Sequence, residues 1–98
     1  RLRLPRGLAF DSQGVLYIAE EDGHRVRRLA VNGIISTFAG TGTNGSTGDG
    51  GLATAAQLSV PTSVALDRAG NVYIGEFGGC RIRRVTADNR ISTFAGTG

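Results

Sequence analysis

The eight residues Ile35 to Gly42, ISTFAGTG, recur unchanged as Ile91 to Gly98. Shifting the chain by 56 positions pairs Leu2 to Gly42 with Leu58 to Gly98 without a gap, and 20 of the 41 pairs are identical. That much identity in one register means that a single unit has been duplicated. The shared residues, among them Pro5/Pro61, Asp11/Asp67, Gly14/Gly70, Tyr17/Tyr73, Glu20/Glu76 and Arg25/Arg81, are spread along the whole unit. The chain therefore divides into a first unit, 1–42, a connector, 43–57, and a second unit, 58–98. A repeated unit is usually a supersecondary element that cannot bury its own apolar faces, so neighbours must stack on one another.

Within each unit, short apolar runs alternate with turn signals. Gly7 to Phe10 reads as a strand entered through Pro5, where a missing N–H costs the ladder nothing. Asp11 to Gly14 and Asp67 to Gly70 carry Asp first and Gly fourth, the type I turn pattern. Val15 to Ala19 (VLYIA) and Val72 to Gly75 (VYIG) are apolar on both alternating sets, as in strands covered on both faces. Leu16, Tyr17, Ile18, Val72, Tyr73 and Ile74 are thus the candidate sheet-to-sheet contacts.

Glu20 to Gly23 and Glu76 to Gly79 read as turns, and His24 to Val31 mixes apolar and charged residues, as a strand with one partly wet face does. Asn32-Gly33 is a strong hairpin signal, answered by Asp88-Asn89, and Ile34 to Ala39 makes a fourth strand. Four strands joined by tight turns, twice over, predict an all-β chain of two four-stranded antiparallel sheets. A unit of about 41 residues plus connector fits the roughly 40 to 50 residues of a propeller blade.

The connector, Thr43 to Gln57, has no second copy. Its Gly-rich first half, Thr43 to Gly51, lacks the Lys-Ser/Thr of a phosphate-binding loop, and Asp49 alone falls short of the spaced carboxylates of a calcium loop. Leu52 to Leu58 predicts one or two helical turns. The segment reads as a blade-to-blade crossover.

Composition bears mainly on chemistry. One cysteine, Cys80, leaves no intrachain disulfide and no cysteine-rich metal site; standing where the first unit has His24, it is read as a small half-buried filler. His24 is alone, and no Ser-His-acid or Cys-His set can be assembled within one unit, so neither catalysis nor a cofactor is expected. A threefold ring would gather three copies of His24, but a structural, turn-adjacent histidine is the preferred reading.

Glu20 with Arg25, and Glu76 with Arg81, are read as charge pairs pinning a hairpin. Arg25, Arg27, Arg28, Arg81, Arg83 and Arg84 form a candidate anion-facing surface on a chain of net charge +3. With no Trp and two Tyr for base stacking, RNA ranks below protein as a partner. No apolar run approaches the roughly 18 residues of a membrane span, so a soluble piece is expected, and the first residue, which is not Met, suggests one processed or excised from a longer chain.

The stretches PRGLAFDSQGVLYIAEEDGHRVRRL and PTSVALDRAGNVYIGEFGGCRIRRV resemble NHL repeats, and ISTFAGTG with GDGGLATAAQL is similar to a bacterial variety of them. NHL repeats typically carry Asp where this chain has Glu20 and Glu76. The resemblance implies a β-propeller, usually six-bladed, in a bacterial secreted or cell-surface parent. It also implies two alternatives: a protein- or RNA-binding NHL domain, or part of a propeller lyase or hydrolase.

Propellers close with four to eight blades, and two blades leave an apolar face open at each end. At about 25 cal/mol per Å², each such face represents on the order of 10 kcal/mol of unused burial. The expected partner is the chain itself, in head-to-tail rings whose heterologous contacts must close. A homotrimer of six blades is favoured and a homotetramer of eight comes second.

Overall fold

The computed structural model describes residues 5–21, 23–43, 45, 49–78 and 80–96. The turn position Gly79, the closing Thr97 and Gly98, and the chain start through Leu4 lie outside these residues. Strands β1 (Pro5–Phe10), β2 (Leu16–Glu20), β3 (Arg25–Leu29) and β4 (Ile35–Ala39) form one sheet in that order. Strands β5 (Pro61–Leu66), β6 (Val72–Glu76), β7 (Arg81–Val85) and β8 (Ile91–Gly96) form the other. Every neighbouring pair is antiparallel.

The duplication extends to the irregularities. Bulges place one extra residue in β1 between Pro5 and Gly7 and one in β4 between Thr37 and Ala39, opposite Val26 and Arg27, and they return between Pro61 and Ser63 and between Thr93 and Ala95. The turn after β1 also repeats: Gly14 donates to Asp11 O at 3.2 Å and Gly70 to Asp67 O at 3.3 Å, each glycine at positive φ. Asp11 Oδ1 accepts from Val15 N at 3.0 Å, which holds Val15 in the turn and starts β2 one residue later than the apolar run suggests.

The Asn-Gly hairpin is a three-residue loop. Ala30 and Ile34 close it, and Gly33 takes the left-handed conformation at φ 91°. In the second blade Asn89 holds that position at φ 64°, a place where Asn is tolerated.

Side chains of cross-strand partners share a face, so the registers sort each sheet. In the first blade Ala9, Tyr17, Ala19 and Val26 point one way, and Leu8, Phe10, Leu16, Ile18, Glu20 and Arg27 point the other. The buried core joins Tyr17, Ala19, Val26 and Ala39 to Val64, Val72, Ile74, Val85 and Ile91. One face of the first blade thus meets the opposite face of the second. At Gly7 the inner strands come so close that a Cβ would lie 2.7 Å from Ser63 Cα.

The connector enters this core. Its helical part is a single 3₁₀ turn, Ala53–Ala55, and Ala53, Ala56 and Leu58 are buried between the blades. Gly40 N donates to Ala53 O at 2.9 Å, tying the end of β4 to that turn.

Candidate functional site

The two outward sheet faces are the main unfilled surfaces of the pair, and the repeat gives each exposed residue a counterpart whose surroundings are known. Leu8 is 62% exposed on the open face of the first blade, whereas its counterpart Val64 is 8% exposed between the blades. Phe10 and Ile35 are exposed while Leu66 packs against the core and Ile91 is buried. On the far face of the second blade Ile82 is 39% exposed, against 0% for Val26. Phe94 and Ala95 are exposed there, whereas Phe38 packs against the core and Ala39 is buried. Each open face therefore carries the residue pattern that is buried at the internal junction.

The six candidate contact residues divide among these surfaces. Tyr17, Val72 and Ile74 lie in the internal junction. Leu16 and Ile18 belong to the open face of the first blade by register. Ile18 is buried there, although it is not part of the junction core. Tyr73 lies on the open side of the second blade, where its ring meets Phe94 edge-on at 5.0 Å and its hydroxyl donates to Asp67 Oδ2 at 3.0 Å.

The six arginines do not form one surface. Arg25 Nε lies 3.4 Å and Arg27 Nη1 3.8 Å from the buried carboxylate of Glu20. In the second blade Arg81 and Arg83 each approach Glu76 at 3.1 Å. Arg28 and Arg84 point to the opposite face from these pairs, with Arg84 stacked over Phe94 at 5.5 Å. Arg83 has no exposed side-chain surface, so the anion-facing reading is corrected for it: adjacent arginines alternate across the pleat, and packing of the blades buries this one. The charge pairs expected at the hairpins are thereby larger clusters around buried glutamates.

Sequence reasoning passed over the role of Asp49. Its carboxylate receives Arg83 Nη2 at 2.9 Å and the Thr93 hydroxyl at 2.6 Å. Partial burial raises the Asp49 carboxyl, but the Thr93 hydrogen bond and the charges of Arg83 and Arg81 outweigh this and hold it below its ordinary value. Arg83 also donates to Gln57 O at 3.2 Å, so Asp49 and Gln57, eight residues apart in the connector, converge on one guanidinium. An acidic residue flanked by glycines in the only unduplicated segment is the signal that could have pointed to it.

His24 is structural in the sense expected: at φ 52° its Nδ1 accepts from Val60 N at 3.3 Å as the chain enters β5. Cys80 shares that backbone conformation but is exposed, correcting its reading as a half-buried filler. The chain segment that covers His24 has no counterpart over Cys80 among the described residues. Among them, too, no three metal-ligating side chains gather, and no helix is long and apolar enough to cross a membrane. A cleft of about 660 Å³ opens between the outer strands, lined in part by Tyr17, Arg28, Phe38, Leu52 and Asn89; it brings no nucleophile and base together.

Comparison with known proteins agrees with this geometry. The family profile described as NHL repeat matches residues 2–29. Mouse teneurin-1 is 33% identical over 98 residues, an alignment spanning 87% of this chain and 4% of that protein. Among solved structures, a Bacteroides thetaiotaomicron protein of unknown function superposes with a TM-score of 0.81 at 27% identity, over 95% of this chain and 24% of its own. Virginiamycin B lyase from Staphylococcus aureus superposes with a TM-score of 0.69 at 16% identity, over 96% and 27%, a likeness of fold alone. The chain thus spans a few per cent of the curated relative and about a quarter of each solved neighbour. It belongs to the NHL-repeat β-propeller family, of which it forms two blades.

Proposed function

We propose that the chain is a non-catalytic structural and interaction module, two NHL blades whose open faces are closed by copies of itself into a ring. Three chains and six blades come before four chains and eight. The observation that carries this reading is positional: the open face of the first blade matches the buried face of the second, and the open face of the second matches the buried face of the first. Burying one large apolar side chain contributes about 1.5–3 kcal/mol, and Leu8, Phe10, Ile35, Ile82 and Phe94 are all available. Such a junction is head-to-tail, so it grows until the ring closes.

Complementation tests it. Leu8→Asp spoils only the leading face and Ile82→Asp only the trailing face. Each variant alone should remain a monomer, and an equal mixture should form a 1:1 pair through the two intact faces. Failure of the mixture to pair, or assembly by either variant alone, contradicts the proposal.

A second reading is supported by the small share of mouse teneurin-1 that the chain spans, 4%. In a longer NHL protein, further blades of the same polypeptide would cover the same two faces.

A further inference from the structure

Asp49, Gly50, Gly51 and Leu52 form a short extra edge on the second blade. Gly50 N donates to Ile91 O at 2.7 Å, Ile91 N donates to Gly51 O at 3.0 Å, and Leu52 bridges to Arg90. The Asp49 carboxylate is fixed meanwhile by Arg83 and Thr93. Gly50 has φ 87°, a conformation that favours glycine immediately after the aspartate. The arrangement is strand addition to a free sheet edge, with one charged side chain setting the register.

The duplication places the same receptor on the first blade. Arg27 and Thr37 face each other across β3 and β4, as Arg83 and Thr93 do across β7 and β8. Ile35 stands where Ile91 stands. Yet Ile35 is exposed and Ile91 buried, and the Arg27 side chain keeps 17% of its surface exposed where that of Arg83 keeps none. Arg27 lies 3.8 Å from Glu20, against 3.1 Å between Arg83 and Glu76.

We infer that Arg27, Thr37 and the β4 edge at Ile35 form a docking site for an extended Asp-Gly-Gly segment like that at residues 49–51. Its carboxylate lies on Arg27 and Thr37, and its second and third residues exchange backbone hydrogen bonds with Ile35. The ring proposed above leaves this site unfilled, because each copy's own crossover is already held by its Arg83. The inference deepens that reading by naming a further element that the leading blade accepts.

The test uses the 98-residue chain and a peptide of sequence TNGSTGDGGLATAAQ, with a second peptide carrying Asn in place of Asp. NMR titration should give saturable shifts at the Ile35 and Thr37 amides and at Arg27 Nε–H. The Asn peptide, and the Arg27→Gln chain with the Asp peptide, should each bind about tenfold more weakly, for loss of a charge-assisted pair. No saturable binding, equal affinity for the two peptides, or shifts centred elsewhere would overturn the site. Particle mass measured on the same samples separates the two ideas: peptide binding by a monomer contradicts the ring alone, and a ring blind to the peptide contradicts the site alone.

Discussion

Asp49 Oδ1 lies 2.9 Å from Arg83 Nη2, so the crossover brings a charge onto a guanidinium that solvent does not reach. With Glu76 on the other side at 3.1 Å, the cluster staples crossover, β6 and β7 together at the blade junction. Arg83→Leu removes the shared cation and leaves the Glu76 carboxylate buried beside Arg81. Breaking a buried pair in this way costs about 3–5 kcal/mol. Arg83→Lys should recover only part of that loss, since one ammonium cannot supply the planar fork that serves several acceptors. Urea denaturation of both variants checks this; unchanged midpoints would show that the cluster contributes nothing.

Acid should act on the same contact. The Asp49 carboxyl is depressed below its ordinary 3.8 in the fold, so its stabilising contribution is complete above that value and is lost as pH falls through the folded-state value. Asp49→Asn should therefore lower stability at neutral pH and flatten the acid limb below about pH 3.8. Parallel melting curves for the two proteins across that range would contradict the assignment.

Gly40 has φ 95°, and a Cβ there would sit 2.7 Å from His24 O. Gly40→Ala combines left-handed strain of about 1–2 kcal/mol with a backbone clash. A fall in melting temperature of roughly 10 °C or more is expected for a chain of this size. Gly33→Ala serves as the control, because no atom lies within 4 Å of its Cβ position at similar φ. It should cost the strain alone, and equal losses at the two sites would mean that the clash is relieved elsewhere.

The proposed junction between copies differs from the internal one where the inner strands come closest. Within the chain, Gly7 lets the inner strands approach until its Cβ position is 2.7 Å from Ser63 Cα. Between copies the residue presented at Gly7's place is Ser63, whose Cβ must be accommodated. Ser63→Gly should tighten association, read as a lower dissociation constant by dilution. Weaker association on this change would contradict a junction of the internal kind.

Most of the fold was legible because duplication supplied two readings of each strand, and the turn residues Asp11, Gly14, Asp67 and Gly70 occupy matching places in both. The buried status of Arg83 was not legible, since Arg83 and Arg84 look alike in a string and only the pleat and the packed neighbour separate them. Asp49 was missed for a related reason: its partners lie in β7 and β8, and nothing local in a glycine-rich stretch records them. The exposure of Cys80 could not be read from its equivalence with His24, because what covers His24 is the chain entering the next blade.

The central claim is that two apolar sheet faces are covered by like molecules, and the mass of the particle in solution tests it most directly. Light scattering on the unmodified 10.2 kDa chain should give three chain masses, or four, over a wide concentration range. A single well-folded chain mass at every concentration would contradict it.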